Sequence, residues 1–140
     1  MLVRDIMSKE VREIKPDDTI TTAATRMRDY EVGAFPVTSG SEILGMLTDR
    51  DIVIDAIAEG KDPNSTKVKD IISAGNVIEC KEEDDINKAA DIMKDKQIRR
   101  LVVKNNDNQI SGILSLGDIA ANVDLKLAGE TTKKISEPAH

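Results

Sequence analysis

The stretch Gly45-Met46-Leu47-Thr48-Asp49-Arg50-Asp51-Ile52 returns as Gly112-Ile113-Leu114-Ser115-Leu116-Gly117-Asp118-Ile119, an offset of 67. Each copy runs from apolar residues into a hydroxyl side chain, with an aspartate three residues on. An apolar run that ends this way reads as a strand leading straight into a helix. Upstream, Ile20, Ala23, Ala24 and Met27 recur as Ile86, Ala89, Ala90 and Met93 at an offset of 66. Earlier still, Val3-Arg4-Asp5-Ile6-Met7 recurs as Val68-Lys69-Asp70-Ile71-Ile72 at an offset of 65. Three matches in the same order, drifting by two residues, identify an internal duplication with small insertions in the loops.

Both copies give the same succession of elements. Asp17-Asp18-Thr19 and Glu83-Asp84-Asp85 place oxygen acceptors and negative charge at a helix start. The apolar spacing that follows predicts an amphipathic helix to about Arg28 and to about Lys94, with alanine pairs that allow close approach to a neighbour. Ala34-Phe35-Pro36-Val37 and Leu101-Val102-Val103 read as strands, and the turns Ser39-Gly40-Ser41 and Asn105-Asn106-Asp107-Asn108 follow them. Second strands (Ile43 to Thr48, Ile110 to Ser115) feed second helices, Asp49 to Glu59 and Leu116 to Leu127. Pro36 is expected at an edge, or where its missing N–H does no harm.

One such unit has too little apolar surface to stand alone. The expected fold class is therefore α/β (α+β): two β-α-β-β-α repeats packed sheet to sheet with pseudo-two-fold symmetry. The boundaries read as repeat 1 over 1–60, a linker over 61–67, repeat 2 over 68–127 and a flexible C-terminal tail over 128–140.

Composition narrows the function. The 140 residues carry a formal net charge of −6 and no basic run, which disfavours nucleic acid and anionic membrane surfaces as partners. Tyr30 and Phe35 are the only aromatics, so base stacking has little to work with. Cys80 is the only cysteine and sits in an apolar run; His140 is the only histidine. A disulfide, a Ser/His/Asp or Cys/His set and a Cys/His metal cluster cannot be assembled from that inventory. No signal-peptide pattern or membrane-spanning apolar stretch is present, and the default expectation is a cytoplasmic protein.

The junctions admit two readings. Thr48 with Asp51, and Ser115 with Asp118, fit a capping box with Asp in place of Glu, a purely structural device. The same groups suit a nucleotide. A helix start and a hydroxyl meet phosphate, and a carboxylate accepts from the vicinal hydroxyls of a ribose. Repeat 2 carries Arg99-Arg100 where repeat 1 has Gly33-Ala34, and repeat 1 carries Arg50 where repeat 2 has Gly117. Arginine suits forked phosphate contacts, although solvated surface arginines would have the same pattern.

The duplication, the element order and the ending G-h-h-[ST]-x-x-D-[IV] resemble the cystathionine-β-synthase-type (CBS) domain, whose tandem pair is called a Bateman module. Val3-Arg4-Asp5-Ile6-Met7, Phe35-Pro36-Val37 and Ile98-Arg99-Arg100-Leu101-Val102-Val103 are similar to family segments, and the likeness covers about residues 1–125. Val102, where the family commonly has proline, is a departure. The resemblance implies a stand-alone, non-enzymatic ligand sensor acting in trans. It would bind AMP, ADP, ATP or a related adenosyl ligand in two clefts between the repeats. No cofactor is expected, with magnesium accompanying ATP. Asp51 and Asp118 would hold ribose, and Thr48, Ser115, Arg50, Arg99, Arg100, Gly117, Gly33 and Ala34 would surround base and phosphate. Asp18 and Ala23 would be lent to the Asp118 cleft, Asp84 and Ala89 to the Asp51 cleft, with Asp118 marking the tighter site. A homodimer built on the second helices, with Ile52, Ile54, Ile57, Ile119 and Val123 exposed, and an unidentified regulated protein are also implied. The competing expectation is a structural or protein-interaction module with empty clefts.

Overall fold

The structure is a computed structural model that describes residues 1–40, 42–72, 77–122 and 125–137, without the side chains of 125–128. In chain order its elements are α1 (Val3–Ile6), α2 (Ile20–Tyr30), β1 (Ala34–Ser39), β2 (Glu42–Thr48) and α3 (Asp49–Asp51), which continues as a π-helical segment, Ile52–Ile57. A 3-10 turn at Val68–Asp70 precedes β3 (Glu79–Lys81), α4 (Ile86–Lys96), β4 (Arg100–Lys104), β5 (Ile110–Ser115), α5 (Leu116–Asn122) and α6 (Leu125–Ser136). They gather into two compact units, one of Arg12–Val77 and one of Met1–Val11 with Ile78–His140.

In the unit Arg12–Val77, β1 and β2 form an antiparallel pair whose register shifts between Val37 and Thr38. The second unit repeats this in β4 and β5, with a shift between Val103 and Lys104. A bulge at the same place in both hairpins is the duplication seen in the backbone. Thr19 caps α2 by accepting from the Thr22 N–H, and Asp85 caps α4 by accepting from the Asn87 N–H. Buried Ile20, Ala23 and Met27 on α2, and Ile86, Ala89, Ala90 and Met93 on α4, face the cores of their own units. Each unit thus has the β-α-β-β-α order expected of the repeats.

The first β position differs between them for a physical reason. β3 pairs in parallel with β4 over three residues, and the Val102 N–H donates to the Ile78 carbonyl at 3.2 Å. Pro36, at the position of Val102, has no N–H to give. Pairing on that side of β1 shrinks to one bridge, Ile14 with Val37.

The structural units do not follow the repeat boundaries read from the sequence. The Val3 N–H donates to the Asp84 carbonyl at 2.9 Å and the Ile86 N–H to the Met1 carbonyl at 3.0 Å, so the first segment lies against repeat 2. Conversely, the Val68 N–H donates to the Asp18 carbonyl at 2.8 Å and the Ile20 N–H to the Thr66 carbonyl at 3.0 Å. Each leading segment docks on the other repeat's helix start. Residues 61–67 are part of this docking, since the Thr21 N–H also donates to the Pro63 carbonyl. Close approach demands glycine at 112, where a Cβ would stand 2.7 Å from the Ser8 carbonyl oxygen.

Two further expectations are corrected. The second helix of repeat 1 leaves the α-helical pattern after Asp51, with the Ala58 N–H donating to the Val53 carbonyl at 2.9 Å. α6 runs on into the segment read as a flexible tail, where its Thr131 and Ile135 are buried. Gln97, at a left-handed φ of 53° past the end of α4, turns its amide to the last carbonyls of α6, donating to Glu137 O at 2.8 Å. Ser41, Val123 and His140 lie outside the described residues.

Candidate ligand-binding site

Both junctions are complete capping boxes. Ser115 Oγ accepts from the Asp118 N–H at 3.0 Å, and Asp118 Oδ2 accepts from the Ser115 N–H at 2.8 Å. Thr48 and Asp51 repeat this at 3.1 and 2.9 Å. The structural reading of the motif therefore holds, and it leaves functional groups over. A hydroxyl that accepts in the cap still has its proton to donate, and a carboxylate bonded through Oδ2 still has Oδ1.

The strands bring the arginines to one of these junctions. Arg100 pairs with Ser115 across β4 and β5, and the Arg99 carbonyl accepts from the Leu116 N–H at 2.8 Å. Arg99, Arg100, Ser115 and Gly117 line an open recess of about 450 Å³ together with Leu116, Ala120 and Thr132. Neither guanidinium has an ion-pair partner among the described residues. At the other junction Ala34 pairs with Thr48, and the Gly33 carbonyl accepts from the Asp49 N–H at 2.9 Å. Gly33 and Ala34 are thus the backbone counterparts of Arg99 and Arg100. The Arg50 N–H there donates to Asp49 Oδ1 at 2.9 Å.

Asp18 and Asp84 have local work. Asp18 Oδ2 accepts from the Lys15 N–H at 3.0 Å, and Asp84 Oδ2 from the Lys81 N–H at 2.9 Å, closing the turns before α2 and α4. Lys88 approaches the remaining Asp84 oxygen at 3.4 Å. Ala23 and Ala89 have no exposed surface and pack in the cores of their own units.

Thr132 joins the recess without any forewarning in the sequence. Leu127, Thr131 and Ile135 are four residues apart, a helical signal diluted by the polar threonine in its middle.

The family model described as CBS domain matches residues 3–55 and 68–124. The CBS domain-containing protein YhcV of Bacillus subtilis is 36% identical over 135 residues, covering 96% of this chain and 94% of its own. A crystal structure of Hypoxic Response Protein I with two coordinated zinc ions matches with a TM-score of 0.77 at 32% identity, covering 89% of this chain and all of that one. A conserved CBS domain protein of Thermoplasma acidophilum matches with a TM-score of 0.83 over 96% of this chain and 75% of its own; at 18% identity it speaks for the fold alone.

The zinc-containing structure corrects one expectation, that a protein of this kind needs no cofactor beyond a nucleotide with magnesium. The described residues of this chain do not supply such a metal site. Among the described residues no group of three or more His, Cys, Asp or Glu side chains could hold a metal. The single thiol, Cys80, is buried, and burial, with Asp84 nearby, pushes it up to about 12. No helix among the described residues is long and apolar enough to cross a membrane.

Proposed function

Because this chain belongs to the CBS-domain family and carries the domain twice, we propose that its regulatory role is to sense an adenine nucleotide, which it binds without turning it over. One observation carries the reading. Two unpaired arginines, the spare proton of Ser115, Gly117 and the Thr132 side of α6 converge on one recess, and Asp118, bonded to Ser115, has an oxygen to spare. Guanidinium groups and a hydroxyl donor suit phosphate, and a carboxylate acceptor suits ribose. The Thr48–Asp51 junction, with Arg50, Gly33 and Ala34, is its counterpart in the other unit. Asp18 is proposed as a further ligand contact through the oxygen its turn leaves over, and Asp84 through the oxygen it shares with Lys88. Ala23 and Ala89 act through packing.

Regulation requires that the ligand favour one arrangement of the protein over another, since tight binding alone shifts nothing. The test is thermal melting with saturating AMP, ADP, ATP, NAD and S-adenosylmethionine, because a ligand of the native state alone raises the midpoint. A rise with at least one adenosyl compound that is lost in Asp118→Ala is expected. No rise with any of them sinks the nucleotide reading.

A second reading, a protein-interaction module, draws on Val53, Ile54 and Ile57, large apolar side chains exposed on the π-helical segment. This is the surface proposed for a homodimer. Ile52 and Ile119, expected there too, are instead core residues. Sedimentation of Ile54→Glu/Ile57→Glu beside the wild type tests it: a dimer that persists unchanged removes this face from the interface.

A further inference from the structure

The two repeats part company after their second helices. In repeat 1 the chain turns into the docking segment at 61–67, and no α-helix follows before the 3-10 turn at Val68. Repeat 2 goes on into α6, which begins beyond residue 124, the last that the family model matches. α6 lies against α4 and α5. Ala90 on α4 has no exposed surface, while Ala24, its counterpart on α2, is exposed. The Lys94 side chain is 23% exposed, where that of Arg28, its counterpart, is 75% exposed.

α6 is held by the burial of Thr131 and Ile135, and by the Gln97 amide, which donates to Lys134 O at 3.4 Å and Glu137 O at 2.8 Å. Glu31, at the same left-handed position after α2, carries a carboxylate and could only accept. Gln97 stands two residues before Arg99, so one turn both fastens the end of α6 and delivers the arginines to the recess. Thr132 of α6 lines that same recess. A molecule that fills it touches the hairpin on one side and α6 on the other.

We infer, resting on the nucleotide reading above, that α6 is the ligand-responsive element of this chain. A nucleotide in the recess bridges Arg99, Arg100 and Ser115 to Thr132, so its binding and the docking of α6 on α4 reinforce each other. Linkage makes the effect reciprocal: a ligand that bridges two packed elements tightens their packing, and loosening the packing weakens the ligand. The surface under control is the face of α4 around Ala90, closed while α6 is docked and open, as the Ala24 face is, when it is not.

Hydrogen exchange on the full chain, with and without saturating AMP, ADP or ATP, reads the docking directly. With a nucleotide that binds, the amides of 129–137 are expected to slow at least about fivefold, and by more than those of α2 in the other unit. Gln97→Met/Ile135→Ala removes the amide donor and most of the buried side chain without changing charge beside the recess. Its affinity in a titration is expected to fall at least about fivefold. Should that variant not fold, the exchange measurement on the wild type decides alone. A bound nucleotide that leaves 129–137 unchanged, or slows them no more than α2, overturns the inference and leaves the nucleotide reading standing. Wild-type affinity in a double variant whose α6 amides exchange faster does the same. No binding of AMP, ADP or ATP to the wild type overturns that reading, and the inference with it.

Discussion

Asp118 uses one carboxylate for two ends: Oδ2 closes the cap with Ser115, and Oδ1 faces no described partner. Substitution can separate them. Asp118→Asn retains an oxygen for the Ser115 N–H and is expected to cost well under about 1 kcal/mol of stability, whereas Asp118→Ala removes half the box and costs about 1 kcal/mol. Nucleotide affinity should fall in both. Equal affinity of the Asp118→Asn variant and the wild type, measured by titration, would remove the ribose role and leave a cap. Cys80 gives a pH prediction. Burial first, and Asp84 second, keep its thiol protonated in the folded state up to about 12, against an ordinary value of 9.0. The unfolded chain releases that proton sooner, so between about pH 9 and pH 12 it binds fewer protons than the native state and stability falls as pH rises. Urea melts at about pH 8 and about pH 10.5 on wild type and Cys80→Ala check this: the wild type should lose more over that interval than the variant.

Elements show what a sequence discloses and what it hides. The capped starts of α2 and α4, the hairpins and the strand-to-helix junctions are legible because each is written in short-range chemistry. Such signals are Thr19 and Asp85 before an apolar period, and a hydroxyl three residues before an aspartate. The recess is half legible for the same reason: Arg100 and Ser115 lie on a hairpin whose register follows from its apolar pattern, while Thr132 arrives from a helix that looks like a polar tail. The shrinkage of the first strand to a bridge depends on one missing N–H at Pro36, a consequence visible only once its neighbour is known. Val102→Pro should reproduce that loss in the second unit, removing the bond to Ile78 and costing about 1–3 kcal/mol. A denaturation midpoint within error of wild type would contradict it. α6 is held by burial of Ile135 and by the Gln97 amide. Ile135→Ala should therefore cost about 2–4 kcal/mol; a negligible change in melting would mean α6 contributes little to the core.

At the scale of the whole molecule, sequence repeats and structural units are offset, because Met1–Val11 and the Val68 segment each dock on the other repeat's helix start. Contacts between residues so distant along the chain carry no local signature, and the repeat alignment alone does not disclose the exchange of the two segments. Removing residues 1–11 should thus harm the half of the molecule farthest away in sequence. Hydrogen exchange of the shortened protein is expected to lose protection in β5 and at the start of α4 while β1 and β2 keep theirs; uniform protection would contradict the exchange of segments. The same connectivity sets a timetable. Met1–Val11 leaves the ribosome well before β5 exists, and at ordinary rates of synthesis that interval is on the order of ten seconds. Val3, fully buried in the finished protein, has no cover during that time, while Arg12–Val77 already holds its own hairpin and helices. The middle of the chain can settle first, and the opening residues must wait for the closing half to be made.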